Sequence, residues 1–292
     1  MKNKKKKYMS DIILDVVVYV VLILVLIVTA YPMWYVLVAS ITSTSELMMN
    51  PGIFLWPKKP IFGAYVKVFQ DPLIVSGFLN TFKILALSLP LNMLLTVMCG
   101  YFMAGKSCML KKPILAMIMF TMFFSGGMIP SYLNIKSLGL YDTVWALVLP
   151  GAVSVYNAII CKTAIEAIPE SLSESAYIDG ATDWKIMTRI VVPLIKPTMA
   201  VLLLYYGVAH WNSWFSASIY LKRNEDLPIQ NILRAILLMN SMVAGAEGDV
   251  YNAYAESIKY AAIVVSTAPI LCIYPFLQKY FVKGVMIGAV KG

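Results

Sequence analysis

Hydrophobic residues fall into six long blocks along this chain, and shorter polar or mixed segments separate them. The blocks cover roughly residues 12–38, 79–104, 113–133, 143–166, 197–219 and 258–281. A helix needs roughly 20 apolar residues to cross the hydrocarbon core of a bilayer, and each block has about that length. The pattern therefore predicts an all-α membrane protein with six transmembrane helices, built as one transmembrane domain over residues 1–292.

Composition and charge support this prediction and add an orientation. Hydrophobic residues make up 60% of the chain and charged residues only 13%, against about 25% charge in a typical soluble domain. The formal net charge of +9 is carried by Lys and Arg residues at the block ends, which indicates contact with membrane lipid and not with nucleic acid. Because basic segments stay in the cytoplasm, residues 1–11 place the N-terminus there. Six crossings then put residues 41–78 and 220–257 outside the cell, and residues 167–196 and 282–292 in the cytoplasm.

Side chains that catalyse reactions or bind metals are scarce. The single histidine, His210, lies inside the fifth block, and the four cysteines lack the spacing of a zinc site or an exported disulfide. The blocks hold no pair of carboxylates for a proton relay, which disfavours a secondary transporter or a channel. Residues 100–107 match the phosphate-loop pattern, but an apolar block precedes them where that pattern requires a strand. We therefore predict no catalytic residue, no metal site and no ATP bound by this chain.

The cytoplasmic segment 167–196 has the pattern of two short helices joined by a turn. Pro169 suits the first turn of a helix, and residues 171–174, Ser-Leu-Ser-Glu, fit a capping box. Asp179-Gly180 ends this helix, since glycine accepts the left-handed conformation that follows many helix termini. A second helix is predicted from Ala181 to about Val191. We call residues 167–196 the elbow.

The elbow resembles the EAA coupling loop of ABC importer permeases. The pattern there is E-A-A, two residues, D-G-A, about eight residues, I, two residues and P. The matching residues here are Glu174, Ser175, Ala176, Asp179, Gly180, Ala181, Ile190 and Pro193. Ser175 departs from the pattern, but it is small like the alanine it replaces. Further segments are similar to the second permease subunit of maltose-type carbohydrate importers. They resemble more closely the lipoprotein-linked, complex-oligosaccharide permeases of Gram-positive bacteria. These segments are residues 124–133, 142–160, 209–221 and 274–292.

This resemblance implies a type I ABC importer permease in a bacterial plasma membrane, working by alternating access. The implied partners are a homologous second permease, two cytoplasmic ATPase subunits and an extracellular sugar-binding lipoprotein. The chain is then not an enzyme and holds no cofactor, because ATP and magnesium bind to the partner ATPase. Glu174 is expected to make an ionic contact with that ATPase, Asp179 and Gly180 to shape the turn, and residues 282–292 to insert between the two ATPase subunits.

The cargo implied by the resemblance is a carbohydrate, more narrowly an oligosaccharide. Aromatic and polar side chains in blocks four and five are candidates for its path; they are Tyr156, Asn157, Tyr205, Tyr206, His210, Trp211, Asn212 and Trp214. Packing between helices explains the same residues equally well. Two alternatives stay open here, namely an ABC permease for another solute and a secondary transporter or channel. The sequence also leaves open whether this chain or its partner permease contacts the cargo.

Overall fold

The computed structural model describes residues 9–49, 52–105, 111–243, 256–273 and 275. Throughout these ranges the regular structure is helical. The helices in chain order are α1 (Met9–Ser40), α2 (Thr44–Met49), α3 (Gly63–Gln70), α4 (Pro72–Ala104), α5 (Lys111–Phe123), α6 (Met128–Ser137), α7 (Trp145–Val148), α8 (Val155–Glu166), α9 (Glu170–Ile178), α10 (Asp183–Ile186), α11 (Val192–Leu194), α12 (Lys196–Trp211), α13 (Phe215–Tyr220), α14 (Ile229–Val243) and α15 (Glu256–Ile273). A π-helical turn, Met187–Val191, joins α10 to α11.

Three of the described helices are long and apolar enough to cross a membrane as single elements. They are Ile12–Ser40 within α1, the whole of α4, and α15. These helices correspond to the first, second and sixth predicted spans. Residues 1–8, 244–255, 274 and 276–292 lie outside the described residues. The cytoplasmic location of the two chain ends therefore stays a prediction.

The other three predicted spans are not single continuous helices. The third predicted span consists of α5 and α6, which meet at 115°. In the fifth predicted span, α12 is bent by 85° from the helix before it and ends at Trp211. The fourth is divided into the single turn α7 and the helix α8. Gly127, with φ of +92°, lies at the break between α5 and α6. Pro150-Gly151 lies at the break between α7 and α8. Residues of these two types interrupt helices in water and in lipid.

The described residues fall into two compact units, one within residues 1–71 and 236–266 and the other within residues 72–235 and 267–292. In the first unit, the Tyr35 ring meets the edge of Tyr260 at 5.8 Å between centroids. The Ser257 hydroxyl donates a 2.5 Å hydrogen bond to the Thr42 carbonyl. The Trp34 indole donates to the Leu55 carbonyl at 2.9 Å. The ring contact holds α15 against α1, and the two hydrogen bonds attach part of the predicted outer segment 41–78 to α15 and to α1.

The second unit is built around α4, α8 and α12. The buried face of α4 is rich in small and polar residues, which let neighbouring backbones approach closely; it comprises Ile74, Gly77, Thr81, Ile84, Ser88, Asn92, Thr96, Val97, Gly100 and Met103. A β-carbon at Gly100 would lie 2.8 Å from the Cys161 sulfur and 3.2 Å from the Lys162 backbone nitrogen. Gly100 is therefore a point of close contact between α4 and α8, and it lies within a helix instead of a phosphate-binding turn.

We predict that Gly100→Ala destabilises the protein by about 1–3 kcal/mol, the usual cost of overpacking a filled interior. The added methyl group has no space, because a fully buried sulfur and a helix backbone surround the site. Thermal unfolding of the detergent-purified chain measures the effect. The matched control is Gly207→Ala in α12, where a new β-carbon has nothing within 4 Å. Equal midpoints for the two variants would contradict the close contact of α4 and α8.

Candidate functional site

The first helix and turn of the elbow form as predicted, but the helix begins differently. Helix α9 ends at Ile178, and Gly180 takes φ of +75°. The Gly180 N–H donates to the Tyr177 carbonyl at 3.0 Å, and the Ala181 N–H donates to the Ala176 carbonyl at 2.9 Å. This paired pattern is a Schellman motif, which needs a left-handed residue at the position of Gly180. The predicted capping box is wrong, since Pro169 precedes the helix and no side chain caps it.

The second arm of the elbow differs from the single helix predicted for residues 181–191. Helix α10 covers only Asp183–Ile186, and the π-helical turn Met187–Val191 follows it. Thr182, with φ of −79° and ψ of 158°, keeps the chain extended before α10. Pro193 brings no N–H to the α-helical pattern, so the turn before it widens. The arm then bends by 85° into α12.

A continuous apolar cluster attaches both arms of the elbow to the ends of the long helices. Residues from α4, α8, the two arms and α12 contribute to it, and all are buried; they are Val97, Cys161, Ile165, Ala176, Ile186, Met187, Val191, Ile195 and Leu202. Buried apolar contacts of this kind resist relative movement because interiors are close-packed. A displacement of the elbow is therefore passed to α4, α8 and α12 together.

A hydrogen-bonded brace at Asp183 adds a polar connection to the apolar one. The Asp183 carboxylate accepts a hydrogen bond from the Tyr101 hydroxyl of α4 at 3.1 Å. The same oxygen accepts from the Tyr177 hydroxyl of α9. Donation to this carboxylate raises the pKa of the Tyr177 phenol above its ordinary value. Asp183 thus joins the two arms to each other and to α4.

The face of the elbow that points away from the bundle carries both charge and exposed apolar side chains. Glu174, Ser175, Asp179 and Gly180 are exposed, as is Pro193, whereas Ala176 is buried and Ala181 and Ile190 are half-buried. Beside them, Ile178 is 87% exposed and Trp184 56% exposed, with Leu172 and Tyr177 also exposed. Exposed apolar patches next to charged groups mark protein contact surfaces. The sequence argument left these four apolar residues out, although they are conspicuous in a loop between spans.

We predict that Asp183→Ala loosens the elbow by removing the shared acceptor of two phenols. If the substitution lowers the stability of the closed elbow by about 1 kcal/mol, the population in which the two arms have separated rises about fivefold. Limited trypsin digestion reports this opening as faster cleavage after Lys185. Thr182→Ala is the matched control, since that side chain makes no capping hydrogen bond. Cleavage of both variants at the wild-type rate would contradict the brace.

Three of the eight predicted cargo-path residues are buried within the second unit. They are Asn157, Tyr206 and Trp211, with Tyr206 only 4% exposed. The Trp211 ring packs against Phe78 and Phe82 of α4, with centroid distances of 6.3 and 5.9 Å. Such contacts hold α12 against α4.

Tyr206 and Asn92 satisfy the backbone at the break between α7 and α8. The Tyr206 hydroxyl accepts a 2.9 Å hydrogen bond from the Ser154 N–H and lies 2.7 Å from the Thr96 hydroxyl. The Asn92 side-chain amide donates to the Gly151 carbonyl at 3.0 Å. Backbone groups freed by a broken helix at membrane depth must find such partners, because no water replaces them. Asn92 was not among the predicted site residues, and helical spacing alone does not identify it.

The other five candidates lie nearer the surface. Tyr156, Tyr205 and Asn212 are exposed, and His210 and Trp214 are half-buried. The Trp214 ring lies under the guanidinium of Arg234, whose central carbon is 3.6 Å from the ring centroid. Arg234 is a further residue that the sequence argument did not include.

We predict that Tyr206→Phe destabilises the chain by about 1–3 kcal/mol, because the half-buried Ser154 N–H then loses its acceptor. Denaturant unfolding in detergent measures the loss. Tyr156→Phe removes the same atom from a side chain that is 58% exposed and should leave stability unchanged. If Tyr206→Phe also left it unchanged, the hydroxyl would not be holding the break together.

These features define a helical, multi-pass membrane protein whose elbow projects from a close-packed bundle. Residues 4–287 match the model of the family described as binding-protein-dependent transport system inner membrane component. The chain belongs to this family. It is therefore a membrane-embedded permease subunit of an ABC transport system and not an enzyme, so the predicted class, fold and membrane location are confirmed.

Individual relatives match along most of the chain. The polygalacturonan/rhamnogalacturonan transport system permease protein YtcP of Bacillus subtilis (strain 168) is 36% identical over 290 residues, which are 97% of this chain and 100% of that protein. Protein LplC of the same organism is 38% identical over 267 residues, covering 91% and 90% of the two chains. A crystal structure of a bacterial ABC transporter involved in import of the acidic polysaccharide alginate has a TM-score of 0.87 at 30% identity, and covers 95% of this chain and 100% of that one.

Proposed function

We propose that this chain is one of two permease subunits in an ABC importer for oligosaccharides. The observation that carries the proposal is the elbow, in which a Schellman turn presents Glu174 beside exposed apolar side chains while a buried cluster attaches its back to the bundle. Such an arrangement lets a soluble protein dock on the elbow and lets the resulting movement of the elbow be transmitted to the transmembrane helices. The names of relatives that transport polygalacturonan, rhamnogalacturonan and alginate support a saccharide cargo.

The partners follow from the family and the elbow. A binding-protein-dependent system requires a protein that delivers cargo from outside, and here we assign that role to an extracellular sugar-binding lipoprotein. A homologous second permease completes the pathway through the membrane. Two ATPase subunits, which hold ATP and magnesium, bind at the cytoplasmic face, one of them on this elbow. The tail 282–292 reaches between them; it lies outside the described residues.

The proposed mechanism is rigid-body alternating access. Closure of the ATPase pair draws the elbow inward, and the cluster around Cys161, Ile186 and Leu202 carries α4, α8 and α12 with it. Ile178 and Trp184 supply the apolar contact with the ATPase, and Glu174 supplies the charged one. Ser175, Ala176 and Ala181 are small enough for close approach, Asp179 and Gly180 set the angle between the arms, and Ile190 and Pro193 shape the return into α12.

Alternative cargo is possible within the same architecture. An ABC permease for another solute would keep the elbow and change only the pathway residues. A secondary transporter or channel no longer competes, since the family is that of binding-protein-dependent systems. The eight candidate residues for the cargo path stay a prediction, with Tyr156, Tyr205, His210, Asn212 and Trp214 the accessible ones.

We predict that Glu174→Gln lowers co-purification of the ATPase with this chain about tenfold or more, because charge-assisted hydrogen bonds at interfaces contribute about 1.5–3 kcal/mol. Membrane insertion should be unchanged, since Glu174 is exposed and outside the apolar cluster. The measurement is affinity purification from membranes followed by quantification of the bound ATPase. Glu170→Gln, one turn earlier on the same helix, is the matched control.

A second variant tests the shape of the turn at Gly180 independently of the charge of Glu174. Gly180→Pro removes the φ of +75° that the Schellman turn needs, so the two arms should no longer meet the ATPase together. Normal ATPase recovery with both Glu174→Gln and Gly180→Pro would show that the elbow is not the docking site.

A further inference from the structure

The Trp214–Arg234 pair lies at the end of the second unit opposite the elbow. Helix α12 leaves the elbow at Lys196 and runs 16 residues, or about 24 Å at 1.5 Å per residue. Trp214 follows within three residues. Helix α14 begins against the other end of α4, where the Ile229 N–H donates to the Thr81 hydroxyl at 3.0 Å. With the elbow in the cytoplasm, this pair lies on the outer side, where cargo enters.

Arg234 is fixed in position by its surroundings. One turn before it, the Asn231 side-chain amide donates to the Trp214 carbonyl at 3.0 Å and to the Ser218 hydroxyl at 2.7 Å. Ile229 and Ile232 are buried and lie close to Gly77 of α4. Both the ring and the helix that carries the guanidinium are therefore anchored. A guanidinium stacked on a ring keeps the N–H groups along its edge available for other partners.

No acidic side chain in the described part of the chain neutralises Arg234. The nearby Arg223 provides the contrast, because its Nε and a terminal nitrogen each contact the Asp226 carboxylate at 2.8 Å. Arg234 is exposed and forms no ion pair among the described residues. A fixed arginine with free N–H groups matches a planar carboxylate, which it binds with two parallel hydrogen bonds.

Aromatic surface suited to sugar rings continues from this pair. The Phe215 ring lies 5.5 Å from Trp214, edge to face. Phe215 also lines an open apolar groove of about 480 Å³ with Met128, Ile129, Tyr132 and Ile219. Beyond it, Tyr132 stacks with Tyr220 at 6.3 Å. A cation next to aromatic rings is the combination that recognises a sugar bearing a carboxylate.

We infer that Arg234, held on Trp214, binds the carboxylate of a uronic acid, so that the cargo is an acidic oligosaccharide. This rests on the proposed function and narrows it. Two of the similar proteins point the same way, since one is named for polygalacturonan, a polymer of galacturonic acid, and the other for the acidic polysaccharide alginate.

The test measures uptake by the complete importer, with its binding protein, reconstituted in vesicles. The probes are trimers of galacturonate and of mannuronate, and the methyl esters of both, which keep the sugar and lose the charge. Variants are Arg234→Gln, Arg234→Lys and the matched control Arg223→Gln. Recovery of the assembled complex and its basal ATPase rate report folding for each variant.

We expect Arg234→Gln to reduce uptake of at least one charged trimer about tenfold or more, the scale of a lost charge-assisted hydrogen bond. Uptake of the methyl esters and the basal ATPase rate should not change. Arg234→Lys, which keeps the charge but not the planar fork, should fall between wild type and Arg234→Gln. Arg223→Gln should match wild type.

Four results would overturn the inference. Uptake of the esters but of neither charged trimer, or equal loss of charged and esterified trimers in Arg234→Gln, would leave the importer standing and remove the acidic specificity. A defect confined to vesicles of anionic lipid would assign Arg234 to a lipid phosphate instead. Uptake of no trimer at all, with no ATPase bound to the chain, would remove the proposed function as well.

Discussion

The close contact between α4 and α8 is the constraint on which the rest of the second unit depends. It exists because Gly100 has no side chain where the Cys161 sulfur lies. Along the same face of α4, the Asn92 amide donates to the Gly151 carbonyl and the Thr96 hydroxyl lies 2.7 Å from the Tyr206 hydroxyl of α12. Those hydrogen bonds in turn permit α7 and α8 to be separate, since a broken helix at membrane depth is stable only when its freed backbone groups find partners. Small residues, side-chain amides and the helix break therefore form one interdependent arrangement.

The same contact supports the elbow, because the apolar cluster begins at Val97 and Cys161 and continues through Ile186 and Leu202. The elbow has no core of its own, and its helices are too short to be stable alone in water. Its shape is imposed by the bundle, with the Gly180 turn and the Asp183 brace setting the angle between arms. In the proposed importer this matters for coupling, since a loop that moved independently would absorb the displacement it should transmit.

The apolar blocks predicted where helices lie, but not where they bend. Hydropathy measures burial in lipid, whereas the break at Gly151 depends on a partner contributed by a distant helix, Asn92 of α4. Within the elbow, the left-handed turn was predictable because Gly180 is a local signal. The brace was not, because Tyr101 lies 82 positions from Asp183 in the chain. Likewise the serine of the predicted capping box falls inside α9, because the helix already starts at Glu170 directly after Pro169.

The sequence identified Trp214 as a candidate residue of the cargo path, but it did not identify Arg234. In a basic membrane protein an arginine near an apolar helix has the pattern of an ordinary positive flank. Position distinguishes this one, since Arg223 nearby has a carboxylate partner and Arg234 has an aromatic ring instead. The two ends of the unit thus differ in chemistry, with a carboxylate and apolar side chains at the elbow and a cation among aromatic rings at the other end. An importer needs this asymmetry, because a protein must be bound at one face and a hydrated sugar at the other, with a single packed core between them.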